Sequence, residues 1–107
     1  MRSVWIADDD DSIRWVLEKA FSRENIPLRT FSNADDVLAA LEEEVPEVLV
    51  SDIRMPGTSG LHLLEAARAR FPHLPIIIMT AYSDLDSAVS AFQGGAFEYL
   101  AKPFDLN

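Results

Sequence analysis

The sequence has no cysteine, only four glycines in 107 residues, and nine Lys and Arg against 18 Asp and Glu. Without cysteine there is no thiol catalysis, no cysteine-ligated zinc or iron–sulfur centre and no disulfide framework, so only metals bound by oxygen or histidine remain. The glycines stand at 57, 60, 94 and 95, which leaves no glycine-rich loop to cradle the phosphates of a nucleotide. A formal charge of −9 argues against direct binding to nucleic acid or an anionic membrane surface, because both need clustered Lys and Arg to replace counterions. Cations and basic partner surfaces fit better. No apolar run approaches the roughly 20 residues of a membrane span. The start, Met1 to Ile6, meets four aspartates too early to hold a signal-peptide core. A soluble, cytoplasmic chain is expected. Its length suits one domain and excludes a second, since single domains commonly run to about 100–150 residues.

What is present is an alternation of two kinds of apolar run. Short aliphatic stretches at Val4–Ala7, Leu28–Phe31, Val48–Val50, Pro75–Met79 and Phe97–Leu100 read as strands. The first, third and fourth are apolar at consecutive positions, the mark of parallel strands covered on both faces, and belong in the middle of a sheet. Between the strands, Ile13, Val16, Leu17, Ala20 and Phe21 recur at helical spacing over Ser12–Arg23, with Asp11 in place to cap the start. Ala34, Val37, Leu38 and Leu41 form a second helix, and Leu61, Leu64 and Ala67 a third that stops at Pro72. A fourth, with Ala88, Val89 and Phe92, ends at Gly94-Gly95. The order predicts an α/β fold: an open, doubly wound parallel sheet with helices on both faces.

In such sheets ligands bind outside the carboxyl ends of the strands. The residues just past those ends are Asp8-Asp9-Asp10-Asp11, Asp52-Ile53-Arg54, Thr80-Ala81 and Lys102-Pro103. Two carboxylates about 4 Å apart repel by roughly 4 kcal/mol at an effective dielectric near 20. Three gathered together must take up protons or bind a cation, and hard oxygen ligands suit Mg²⁺. A magnesium site at Asp8, Asp9 and Asp52 is therefore the economical expectation, weighed against a solvated loop with a helix cap, which is the role expected of Asp11. A carboxylate beside Mg²⁺ can attack a phosphoryl group when a fixed cation neutralises the equatorial oxygens. Lys102 would supply that cation and Thr80 a hydroxyl donor. Physics alone does not choose Asp52 over Asp9 as nucleophile.

The motifs, taken together, resemble a known family. Asp8-Asp9, the run Ser51-Asp52-Ile53-Arg54-Met55-Pro56-Gly57, Met79-Thr80-Ala81, and Tyr99-Leu100-Ala101-Lys102-Pro103-Phe104 look like the receiver domain of two-component response regulators. Asp11 to Glu18 and Ser83 to Val89 further resemble receivers of NtrC-type nitrogen regulators, activators of sigma-54 transcription. The resemblance implies a CheY-like, flavodoxin-like five-stranded sheet of order 2-1-3-4-5. It implies that Asp52 is the phosphoacceptor, that Asp9 and Asp52 bind Mg²⁺ directly and Asp8 through water, and that the backbone carbonyl of Arg54 completes the set. Asp10 has no assigned part. Thr80 and Lys102 would contact the phosphoryl group, Lys102-Pro103 would be a cis peptide, and Tyr99 would turn as Thr80 moves, changing the surface of helix four and strand five. The phosphodonor would be a sensor histidine kinase. The domain would be no enzyme beyond assisting its own phosphorylation and dephosphorylation.

The resemblance also implies a fifth helix after the Lys-Pro motif, where this chain stops. The expectation is a receiver over 1–107, truncated before its last helix, from a parent carrying ATPase and DNA-binding domains. Homodimerisation through the helix-four/strand-five face is a further implied contact. Two rivals remain. A magnesium phosphatase of haloacid dehalogenase type also uses an Asp nucleophile, but after its first strand, leaving the strand-three and strand-five motifs without purpose. A phosphate-independent interaction module would not need the complete acid, Thr and Lys set. An EF-hand is disfavoured because Ile13 stands where its loop needs Gly. His62 and His73 read as surface residues, Met55, Met79 and Trp5 as packing, Glu42 to Glu44 as a solvated helix end, and Trp15 as lying off the apolar stripe, where a partner could use it.

Overall fold

A computed structural model of the chain describes residues 3–55, 57–81 and 98–102, with 80, 81 and 98–102 described through their backbone. The elements are β1 (Val4–Ala7), α1 (Asp11–Arg23), β2 (Leu28–Phe31), α2 (Ala34–Leu41), β3 (Val48–Asp52), α3 (Gly60–Arg70), β4 (Ile76–Ala81) and β5 (Glu98–Lys102). All strand pairs are parallel, in the order β2-β1-β3-β4-β5. The three strands with consecutive apolar residues are the inner ones, as expected of strands covered on both sides. The expected fourth helix, Phe97, the Lys102-Pro103 peptide bond and the chain beyond it lie outside the described residues.

Side chains alternate between the two faces of each strand. Trp5, Ala7, Leu49, Ile76 and Ile78 point to one face and pack with Val37 and Leu41 of α2 and Leu63, Leu64 and Ala67 of α3. Ile6, Val50 and Met79 point to the other and meet Leu17 of α1, with Ile13 and Phe21 at its margin. The Trp5 and Phe31 rings stand 5.1 Å apart, tilted, and the Arg29 guanidinium lies over both.

Three expectations are corrected. Val16, placed on the buried stripe of α1, is exposed; the helix meets the sheet through Leu17, and Val16 falls on its outer flank. The cap of α1 is Asp10 and not Asp11: Asp10 Oδ1 accepts from the amides of Ser12 (2.8 Å) and Ile13 (3.4 Å). Asp11 is the first helical residue and pairs with Arg14. Finally, β3, β4 and β5 each run two residues further than the sequence suggests, so that Asp52, Thr80 and Lys102 lie within the ends of their strands instead of just after them. Partner strands supply the reason, since the ladder pairs Asp52 with Met79, Thr80 with Ala101 and Ala81 with Lys102.

Candidate functional site

The register that pairs Ala7 with Ser51 brings Asp8 to the level of Asp52. Two residues beyond Ile6 and Val50, both carboxylates leave the sheet on the α1 side. Asp8, Asp9 and Asp52 each offer an oxygen, and these atoms all lie within 4.8 Å of one another. Asp8 is fully buried, Asp52 is 8% exposed and Asp9 is open to solvent. Three hard oxygen donors with one open side match an ion that takes one or two protein carboxylates and keeps several waters, as Mg²⁺ does. Both histidines, His62 and His73, are exposed and stand outside the cluster, so the donor set lacks the nitrogen and sulfur that zinc or copper prefer.

Two consecutive residues of an extended strand point opposite ways, so Asp8 and Asp9 can face Asp52 together only if the chain turns between them. The turn is tied at several points. Asp8 donates its amide to the Phe31 carbonyl (3.0 Å) and accepts the Asp10 amide on Oδ1 (2.9 Å). Arg14 Nη1 donates to the Asp8 carbonyl (2.5 Å) while Nη2 bonds the Asp11 carboxylate. Asp10 thus has a role that the sequence left open, capping α1 and pinning Asp8.

On the β3 side, the Ile53 amide continues the ladder to the Met79 carbonyl (3.1 Å), and the Ile53 carbonyl accepts the Gly60 amide (2.7 Å). This draws the start of α3 against the end of β3. A Cβ on Gly60 would sit 1.9 Å from the Asp52 carbonyl oxygen, so only glycine permits this approach. Gly57, at φ 77, takes the left-handed turn between the two elements. Ser59 caps α3 by accepting the His62 amide on its Oγ (3.2 Å).

The other expected residues fall around this centre. Arg54 follows in the loop after β3 with an exposed side chain. Thr80 lies near the end of β4, next to β3, and Lys102 ends β5, one strand further out. Tyr99 pairs with Ile78 in the register, two positions from the Thr80–Ala101 pair. Trp15 is 60% exposed, with the Lys19 ammonium over its ring. Sequence reasoning missed Arg14 and Gly60. A glycine opening a helix is the available signal for the second, since glycine is a poor helix former; nothing local singles out Arg14.

The family model described as "Response regulator receiver domain" matches residues 4–107. The DNA-binding transcriptional regulator NtrC of Salmonella typhimurium is 60% identical over 104 residues, which cover 97% of this chain and 22% of that protein. The chain thus spans about a fifth of the length of the curated relatives it matches. Among solved structures, the apo receiver domain of Nitrogen Regulatory Protein C aligns with a TM-score of 0.86 at 60% identity, covering 97% of this chain and 84% of that one. The receiver domain of NtrX from Brucella abortus aligns at 0.90 with 31% identity, covering 96% and 88%.

Proposed function

The chain belongs to the response regulator receiver domain family, and from that premise we propose that it is the phosphorylation switch of a two-component system, with Asp52 as the phosphoacceptor. The observation that carries this reading is the convergence of Asp8, Asp9 and Asp52 within 4.8 Å at the carboxyl edge of the sheet. Mg²⁺ held by Asp9 and Asp52, by Asp8 through water and by the Arg54 carbonyl would offset the charge of the phosphoryl oxygens. The Asp52 carboxylate attacks phosphorus in line, forming an O–P bond as the P–N bond of a phosphohistidine breaks and its electron pair leaves with the donor imidazole. As family membership suggests, that donor is the histidine of a sensor kinase; His62 and His73 of this chain both lie outside the cluster. Lys102 and Thr80 bind the transferred group from the neighbouring strand ends.

The new aspartyl phosphate carries about −1.5 to −2 charges. Thr80 moves toward it, Tyr99 turns into the space released, and the helix-four/strand-five surface shifts between two packings. That surface is the place for homodimerisation. Residues 1–107 are, in this reading, the receiver of a longer cytoplasmic regulator. Its ATPase and DNA-binding domains activate sigma-54 transcription in nitrogen control, as the similarity to NtrC suggests. In this reading the chain itself touches neither DNA nor membrane, as its charge of −9 favours cations and basic partners. Separately, among the described residues no helix is long and apolar enough to cross a membrane.

Incubation with Mg²⁺ and acetyl phosphate followed by intact mass measurement tests the assignment. One phosphoryl adduct is expected on the wild type and none on Asp52→Asn. Labelling of the mutant at the wild-type level contradicts it, and steady turnover of a phosphomonoester that survives Asp52→Asn but not Asp8→Asn favours a phosphatase instead.

A further inference from the structure

We infer that Arg14 is a positioning residue of the proposed magnesium site, clamping the turn that lets two consecutive carboxylates face Asp52. The inference rests on the magnesium reading above. Its grounds are geometric. β1 ends at Ala7, and in continued strand geometry Asp8 and Asp9 would diverge. Their convergence with Asp52 therefore depends on whatever holds the Asp8 peptide out of extension. Phe31 fixes the Asp8 amide and the Asp10 amide holds one Asp8 carboxylate oxygen, but Phe31 and Asp10 take part in these bonds through main-chain atoms alone. Arg14 is the side chain that grips the Asp8 carbonyl, and its second nitrogen is anchored on Asp11 at the start of the same helix. A planar guanidinium can hold two acceptors at a fixed spacing; a lysine ammonium on a flexible stem cannot do so with the same geometry. The Arg14 side chain is only 18% exposed, so its position is set by packing.

A clamp at Arg14 and plain electrostatics act on magnesium affinity in opposite directions. By charge alone, removing a cation near three carboxylates strengthens their hold on Mg²⁺. If Arg14 positions them, Arg14→Ala weakens it, by about tenfold or more on the scale of residues that orient metal ligands, with Arg14→Lys in between. A readout without metal accompanies this. The Asp10 amide, bonded to Asp8 Oδ1, should exchange hydrogen several-fold faster in Arg14→Ala as the turn opens. Magnesium affinity by NMR titration, with amide exchange in metal-free protein, decides the matter. Binding as tight as wild type or tighter, or unchanged Asp10 exchange, overturns the clamp. If Arg14→Ala does not fold, Arg14→Lys carries the test: intermediate affinity supports the clamp and wild-type affinity overturns it. If wild type itself fails to bind Mg²⁺, the metal reading falls, while the metal-free exchange measurement still decides the clamp.

Discussion

The two edges of the sheet are built from the same strands but from opposite chemistry. At the amino edge, Pro27 and Pro75 stand immediately before β2 and β4, and Pro46 is separated from β3 by Glu47 alone. Having no N–H, proline suits a strand start, and the carbonyls of Pro27 and Pro75 accept from Val4 and Leu49 to begin the ladder. Val45, Pro46, Phe71, Leu74 and Pro75 line a shallow, mostly apolar groove of about 320 Å³ there. At the carboxyl edge, the apolar runs end in Asp8, Asp52, Thr80 and Lys102. Burying two carboxylates there, Asp8 fully and Asp52 nearly so, is costly without counter-charge and hydrogen bonds. The amino edge therefore supplies stability, and on the proposed reading the carboxyl edge holds groups whose value lies in what they bind.

The contrast breaks if substitutions at the amino edge change magnesium binding, and sharpens if they change stability alone. The largest effect is expected of Leu74→Ala. It empties a buried site under the groove and should cost about 2–4 kcal/mol in denaturant unfolding while leaving magnesium affinity within about twofold. Gly60→Ala should cost somewhat less, about 1–3 kcal/mol. Its Cβ displaces the Asp52 carbonyl, however, so magnesium affinity falls with stability, which sets the carboxyl edge apart. Asp10→Ala removes the α1 cap for about 1 kcal/mol, whereas Asp10→Asn, which caps as well, should cost only a few tenths; melting both variants without metal separates cap from charge. Asp9→Asn should be the mildest in metal-free melting, within about 0.5 kcal/mol for an exposed side chain, yet it should abolish most of the rise in melting temperature that added Mg²⁺ produces.

The sequence made the fold legible wherever local chemistry agreed with tertiary need. Consecutive apolar residues in β1, β3 and β4 identified the inner strands, and the spacing of Ala34, Val37, Leu38 and Leu41 identified α2, which Asn33 caps as its Oδ1 accepts the Asp36 amide. The acid cluster was equally legible, because the parallel order alone gathers the strand ends at one edge. Other features depended on partners distant in sequence. Val16 repeats with helical period as well as Leu17 does, but only the placement of α1 over Ile6 and Val50 decides which is covered. The choice of Asp10 over Asp11 as cap follows from the turn that Asp8 and Asp9 must make, a demand imposed by Asp52 some forty residues later. Thr80 and Lys102 belong to strand ends because β4 and β5 extend each other's ladder, which neither segment reveals by itself. Gly60 is fixed by the Asp52 carbonyl, a contact that no pattern near residue 60 announces.

The central claim is that the carboxyl edge delivers Asp52, and no other acid of the cluster, to a phosphoryl donor. Borohydride reduction of protein treated with acetyl phosphate and Mg²⁺ converts an aspartyl phosphate to homoserine, which peptide mass sequencing then locates. Homoserine at position 52, dependent on Mg²⁺, is the expected result; homoserine at position 8 or 9, or at none of the three, contradicts the account.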